Sequence, residues 1–586
     1  MLPSLSLLKC GDTWTKTVWS WAFLGRGPTV GRALIVVVDS SSSALHQHLP
    51  MSKKNNPGTD LRSPVPWGFV LFASVLALLE PVVRLGCVHP DETFQAIEPA
   101  FERAFGRGFL AWEWKVGLRN EVVVSLLAQI FRSAHSIGVR DPQIMRIFIH
   151  FPLFLLTIAV LRAVYLMTAR RLAWRDASEG TRDVEWAKYS VLALGVWPIF
   201  VFFQTRHLSE TWSTSFLILG FDAVDPLRTG EPGVSPLRLR RYLLAGLYFG
   251  LAEVTRYTTA VLLGPAFLGM LLGVGTRGLA EISFRGRGAR TGAAAIGFLV
   301  PVAVLGVVDA RTWGVRIPGL WAGGAFHSLI SYVDVNFVRG VASSWFGTNP
   351  WYYYLPRLHI VAPLLGVWQA ILWVKNQKQK QPSNARASVF GASMRYHLPL
   401  ICSAVYMLVL LKTPHKEARF LYPSLVLITV VMLPETIVFI RNIPQRSFGF
   451  GAKLLLAAGA VFWAIPAFLP GPYTPEHRDT FRFLLHAGRE GRGALILGTP
   501  IEATGGYSML GADLPLCASS VKIEENCVES AIKDRRVSAV YLFDRVHDRF
   551  EKRLSCAGFR EDGREDEGGI WHRVPSVEPF MHRDCK

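Results

Sequence analysis

The apolar run from Val65 to Gly86 is long enough to cross a bilayer, since about 20 apolar residues match a hydrocarbon core of roughly 30 Å. Further apolar segments follow near 144–167, 188–203, 211–225, 242–256, 257–275, 291–308, 356–374, 396–411, 420–440 and 453–470. The resulting expectation is a polytopic α-helical membrane protein of about eleven spans. Composition points the same way: half of the 586 residues are hydrophobic and 18 are tryptophan, too apolar for a soluble enzyme of this length. A net charge of +19 is compatible with nucleic acid, but the basic residues fall in short runs between apolar segments. The positive-inside rule explains them better, and no nucleic-acid partner is expected.

The basic runs test the span count. Arg170-Arg171-Arg175, Arg238-Arg240-Arg241, Arg285-Arg287-Arg290 and Lys375-Lys378-Lys380 all fall on the cytoplasmic side when the amino terminus is cytoplasmic and the spans number eleven. Residues 1–64 read as a disordered cytoplasmic tail, with no ordered basic, apolar and small-residue stretches of a cleavable signal. Residues 65–470 form the multi-span region, and 471–586 differ in character. There, Ala494–Gly498 and Val537–Phe543 read as buried strands with a helix near Val528–Asp534 between them, which predicts a small α/β domain on the non-cytoplasmic face. Cys517, Cys527, Cys556 and Cys585 lie in this part, Cys517 and Cys527 being the most local pair for a disulfide in an oxidising compartment.

The same parity places His89–Gln143, Gln204–Glu210, the turn near Arg256, Asp309–Leu355 and Lys412–Arg419 on the non-cytoplasmic face. Nearly all the unusual polar residues lie in these segments. A transporter is expected to hold such groups at the bilayer midplane, whereas one polar rim suits an enzyme facing a single compartment. Cys87–Glu98, CVHPDETFQAIE, opens that rim. Asp91 and Glu92 follow His89-Pro90 where the chain leaves the first span, and ionisable groups at a membrane boundary carry a cost that calls for a function. Phe94, Ile97 and Phe101 recur at helical spacing, with Glu98 and Glu102 on other faces. Trp112 and Trp114 then read as interfacial anchors, with Glu113, Lys115 and Arg119 interleaved to reach a polar headgroup.

Two further stretches stand out. Phe346–Tyr354, FGTNPWYYY, is either an aromatic belt or a set of rings for sugars and isoprenoids. Lys412–Arg419, KTPHKEAR, places four basic groups on the side that should be poor in them, which points to an anionic ligand such as a phosphate. No Gly-rich phosphate loop or metal-ligand spacing is found, so neither a nucleotide sugar nor a metal is expected.

HPDETFQ-x-x-E, LAWEWKVGLR, FGTNPWYYYL and HKEARFLYP together resemble the GT-C mannosyltransferases that use dolichyl-phosphate mannose, over approximately Val65–Pro470. Trp112-Glu113-Trp114-Lys115 followed by Gly117 and Arg119 looks most like the glycosylphosphatidylinositol (GPI) enzymes adding the third core mannose. The His-Pro-Asp-Glu tetrad is also similar to those adding the fourth, and Asn120-Glu121 departs from the Ser-Tyr of the pattern. The resemblance implies an endoplasmic-reticulum membrane enzyme with a lumenal site, inverting transfer from a lipid-linked donor to a lipid-linked glycan acceptor, and no cofactor. It implies Asp91 as the base, with Glu92 orienting the acceptor or tuning Asp91. His415, Lys416, Arg419 and Arg256 would hold the donor phosphate. The acceptor would lie among His89, Glu113, Trp114, Lys115, Arg119 and Trp351. Fourth-mannose and N-glycan acceptors are the alternatives within the family, and a transporter, a lipid scramblase or a structural membrane subunit lies outside it.

Overall fold

A computed structural model describes residues 64–87, 89–179, 183–225, 227, 236–274, 283–313, 324–354, 398–442, 477–499, 501, 504–511, 513–519, 525–565 and 568–574. The tail before residue 64, the segments expected at 356–374 and 453–470, the basic run Lys375–Lys380 and Cys585 lie outside the described residues.

The apolar segments inside the described residues are helical. The first forms Trp67–Val83, and the second runs through Pro142–Glu179. The segment expected at 188–203 is divided into Lys188–Gly195 and Pro198–Phe203. Pro198 has no N–H to continue the first piece but suits the opening turn of the second. Ser209–Ala223, Pro236–Thr255, Ala260–Leu272, Phe284–Thr312, Leu398–Lys412 and Tyr422–Asn442 follow. Among the described residues, Pro142–Ala173, Phe284–Thr312 and Ala418–Val438 are long and apolar enough to cross a membrane by themselves, and Trp67–Val83, Tyr257–Leu272 and Leu398–Lys412 are shorter apolar helices.

Their core gathers Val160, Val164, Trp197, Phe200, Leu217, Phe249, Tyr406, Tyr422 and Val426. Pro236–Thr255 lies backbone to backbone against Phe284–Thr312. A Cβ on Gly246 would run into the Ala294 carbonyl, and one on Gly297 into that of Leu243. Small residues at a crossing are what allow helices to approach so closely in lipid. Leu71, Phe72, Val75 and Leu79 on the first helix, and Ile296, Leu299, Val300 and Val304 on Phe284–Thr312, stay exposed as an apolar outer face.

Between Trp67–Val83 and Pro142–Glu179 the chain makes a helical cap. Glu92–Ile97 is a π-helical turn continued by the α-helix Glu98–Phe105, and Trp112–Lys115 and Val122–Ser136 complete it. Phe94, Ile97, Phe101, Trp114, Leu127 and Phe131 form its core. Two expectations need correction here. Trp114, 3% exposed, is a core residue and not an interfacial anchor, and Glu98, expected on a different face from Phe94, Ile97 and Phe101, is completely buried as they are.

The carboxy-terminal part is a five-stranded sheet, with strands β1 (Gly493–Leu497), β2 (Leu516–Ser519), β3 (Val537–Phe543), β4 (Phe559–Glu565) and β5 (Gly568–Arg573) in the order β2-β1-β3-β5-β4. β1 pairs in parallel with β2 and β3, Leu495 lying opposite both Cys517 and Val540, while β5 is antiparallel to β3 and β4. Arg478–Arg489, Glu525–Lys533 and His547–Cys556 pack with it. Cys517 and Cys527 are disulfide-bonded.

Candidate active site

Pro90 and the start of the Glu92–Ile97 turn hold Asp91 at the exit of the first helix, while the short 3₁₀ turn Ala418–Leu421 starts the helix Tyr422–Asn442 and aims Arg419 at it. Nη2 of Arg419 donates to Asp91 Oδ2 at 2.5 Å across 328 residues of sequence. Nε of the same guanidinium donates to Glu417 Oε2 at 2.5 Å and lies 3.6 Å from Glu210 Oε1. Glu210 in turn receives Arg256 Nη1 at 2.7 Å. His89 joins the two carboxylates: its Nδ1 accepts the Asp91 backbone N–H at 3.2 Å, and its Nε2 faces Glu417 Oε2 at 3.4 Å. His415 Nε2 lies 2.9 Å from Glu417 Oε1.

The electrostatics follow from this packing. Burial pushes the Asp91 carboxyl up, but the Arg419 guanidinium and His89 outweigh it and hold the group well below the usual carboxylate range. Glu417 is lowered by the same balance, burial opposed by Arg419, His89 and His415. For His89, burial and Arg419 disfavour the cation, yet Asp91 and Glu417 prevail and raise its pKa. Both acids are therefore ionised.

The pair Asp91-Glu92 does not share a site. Glu92 turns inward, and Arg206 Nη1 donates to it at 3.2 Å while Nε and Nη2 of that arginine clamp Glu80 at 2.8 and 2.9 Å. Side chains of all three are buried. Instead of tuning Asp91, Glu92 anchors the turn that carries it, because a buried guanidinium needs full carboxylate compensation. Lys416 also departs from the phosphate role. It is 3% exposed, and its Nζ donates to the backbone carbonyls of Asn349, at 3.0 Å, and Thr413. Asn349 returns a bond from Nδ2 to the Lys416 carbonyl at 3.1 Å, so the two motifs FGTNP and HKEAR are laced together.

The residues expected around the acceptor are divided. Glu113 accepts a hydrogen bond from Gln95 Nε2 at 3.1 Å and forms an ion pair with Arg119 Nη2 at 3.7 Å, next to Asp91, whose charge adds to burial in raising the Glu113 carboxyl. Lys115 lines a separate cavity, together with Tyr507. Trp114 is in the cap core, and Trp351, 65% exposed, meets Tyr352 edge-on. Arg119 and Arg256 each retain a buried Nε with no hydrogen-bond partner among the described residues, which is donor capacity left for a ligand.

The sequence assigns several participants no role. Glu80 sits inside the first apolar run, where a lone acid in a span is itself a signal. Glu210 and Glu417 serve as the hubs between the two arginines. Asn120, the departure from the family pattern, donates to Tyr257 Oη at 2.9 Å and to the Val254 carbonyl at 2.8 Å. It thereby ties together the residues that follow Arg119 and Arg256.

Bundle and cluster together define a membrane protein whose polar machinery collects at one end of its helices. Residues 67–457 match the Alg9-like mannosyltransferase family, and the chain belongs to it. It is 27% identical over 341 residues to GPI mannosyltransferase 3 of Yarrowia lipolytica, covering 57% of this chain and 55% of that protein. With GPI mannosyltransferase 3 of Trypanosoma brucei brucei it shares 25% identity over 322 residues, 50% of this chain and 52% of the other. The corresponding protein of Aspergillus fumigatus is 24% identical over 439 residues, 68% of this chain and 51% of its own length. The chain thus spans about half the length of the curated relatives it matches. In overall fold it is similar to ArnT from Cupriavidus metallidurans, crystallised bound to undecaprenyl phosphate, with a TM-score of 0.50, 12% identity, and coverage of 87% of this chain and 98% of that one.

Proposed function

We propose that this protein is an endoplasmic-reticulum mannosyltransferase that moves mannose from dolichyl-phosphate mannose to a lipid-linked glycan, adding the third mannose of the GPI core. The observation that carries this reading is the Asp91–Arg419 contact, a proton acceptor and an anion-binding cation meeting at one point. The likeness to proteins named GPI mannosyltransferase 3 supports the choice of acceptor.

In this mechanism the donor phosphodiester competes for Arg419 and takes up the spare donor capacity of Arg256, with His415 beside it, and Asp91 is released. The acceptor hydroxyl gives its proton to Asp91 and attacks the anomeric carbon. The bond from that carbon to the phosphate oxygen breaks with inversion, and the departing dolichyl phosphate keeps the electron pair beside the guanidinium groups. These cations replace a metal in neutralising the leaving group, so transfer is expected to persist in EDTA.

The reading places about eleven spans in the membrane and the site in the lumen, where an oxidising environment suits the Cys517–Cys527 disulfide. Its test is the glycolipid that accumulates when the protein is lost. A GPI intermediate with two mannoses supports it. Three mannoses would reassign the chain to the fourth addition, and a truncated dolichol-linked oligosaccharide to the N-glycan branch.

A further inference from the structure

A cavity of about 470 Å³ is lined by Glu102, Arg107, Phe109, Leu110, Lys115 and Tyr507. Its size is that of a pocket for a small organic ligand. Two separate parts of the chain build it, and one buried carboxylate fastens them. Glu98 Oε2 accepts the Phe109 N–H at 3.1 Å and the Tyr507 N–H at 3.0 Å, and Oε1 accepts the Ser508 N–H at 2.6 Å. The wall next to Lys115 comes from the cap, and Tyr507 comes from the carboxy-terminal α/β part.

We infer that this cavity is a subsite for a sugar residue of the acceptor glycan, with the carboxy-terminal part supplying one side of it. The inference rests on the mannosyltransferase reading above. A pyranose presents hydroxyls on its rim and an apolar C–H face. The cavity offers both complements: charged side chains with several hydrogen-bonding positions from Glu102, Arg107 and Lys115, and flat apolar surface from Phe109 and Tyr507. Glu102 Oε2 accepts from Arg103 Nη1 at 3.0 Å. The loop between is shaped for a close approach, since a Cβ on Gly108 would strike the Glu98 carbonyl and Glu102.

Position links this cavity to the reaction. Trp112–Lys115 is a single helical turn, and residues two apart on a helix point about 200° away from each other. Glu113 faces Gln95 and Arg119 on the Asp91 side, while Lys115 faces the cavity. A glycan whose reacting hydroxyl lies at Asp91 therefore has to pass over this turn for a neighbouring sugar to enter the cavity.

The test uses the purified full-length enzyme with donor and acceptor varied separately, comparing wild type with Lys115→Met and with Leu110→Trp, which fills the cavity. Both variants should raise the acceptor KM about tenfold or more, the loss expected for hydrogen bonds from a charged group, and leave kcat, donor KM and thermal midpoint in place. Unchanged acceptor KM in both variants overturns the subsite while leaving the transferase reading intact. Should wild type transfer no mannose, the transferase reading fails instead, and binding of α-linked mannobiose followed by saturation-transfer NMR decides the cavity alone. Binding lost in Leu110→Trp retains it, and no binding to wild type rejects it.

Discussion

Arg419 closes on Asp91 at 2.5 Å, so the carboxylate proposed as base is masked by the guanidinium proposed to bind phosphate. The pairing makes the base conditional on the donor. Asp91→Asn keeps the shape and hydrogen-bonding capacity of the site but removes the proton acceptor. It is expected to lower kcat by roughly 10²–10⁴ with expression and melting behaviour retained. Measurable transfer at the wild-type rate by a well-folded Asp91→Asn protein would remove the assignment.

Arg419→Lys provides the complementary test. A lysine keeps the charge, but its single ammonium nitrogen cannot reproduce the fixed planar contact that Nη2 and Nε make with Asp91 and Glu417. Expected outcomes are a fall of about 10²-fold in kcat/KM for the donor and little change in acceptor KM, read from initial rates. The lost contact also relieves Asp91, so the acid limb of the pH–rate profile should move to higher pH. Arg256→Gln should act in the same direction on the donor but leave that acid limb in place, since Arg256 reaches Glu210 and not Asp91.

The buried trio Glu80–Arg206–Glu92 is a matter of folding more than of turnover. Arg206→Met removes the guanidinium that both buried carboxylates share and should destabilise the protein by about 3–5 kcal/mol, seen as a lower melting temperature in detergent. Glu92→Gln leaves Arg206 its Glu80 clamp and should cost much less. A catalytic Glu92 would instead lose activity at unchanged stability, and the two measurements together separate these roles.

Much of this architecture is written in local pattern. Apolar length locates the helices, and the apolar runs Ala494–Gly498 and Val537–Phe543 mark two central strands, because burial on both faces leaves an unbroken hydrophobic stretch. β4 is exposed and polar along most of its length, and so carries no such mark. The cluster was legible only by halves. His89-Pro90-Asp91 and His415–Arg419 stand out as motifs, but which carboxylate meets which cation is fixed by tertiary packing. Glu92 and Asp91 are neighbours in sequence that a helical turn sends to different partners. Lys416 looks like its neighbours His415 and Arg419, yet its ammonium is consumed by two backbone carbonyls, a use with no signature in sequence.

Glu98 gives a prediction in pH. Burial pushes its carboxyl up to about 7 against the pull of the Ser508, Tyr507 and Phe109 N–H groups. A carboxyl raised in the folded state binds its proton more tightly there than in the unfolded chain. Its contribution to stability is therefore greatest below the ordinary carboxylate range and declines as pH rises toward about 7, by about 3 kcal/mol in all. The contact it governs is the one between the cap and the carboxy-terminal part, so the decline should be read there, as faster proteolysis between the two parts and a lower melting temperature at pH 7.5 than at pH 5. Glu98→Gln cannot ionise and should flatten this dependence while keeping one acceptor oxygen for the N–H groups. Gly506→Ala attacks the same contact from the other side. Gly506 has φ +67°, and an added Cβ would enter the Glu98 carboxylate, so this variant should loosen the junction at every pH. If wild type and Glu98→Gln melt in parallel across that range, Glu98 does not titrate in the junction and the pH dependence belongs to another group.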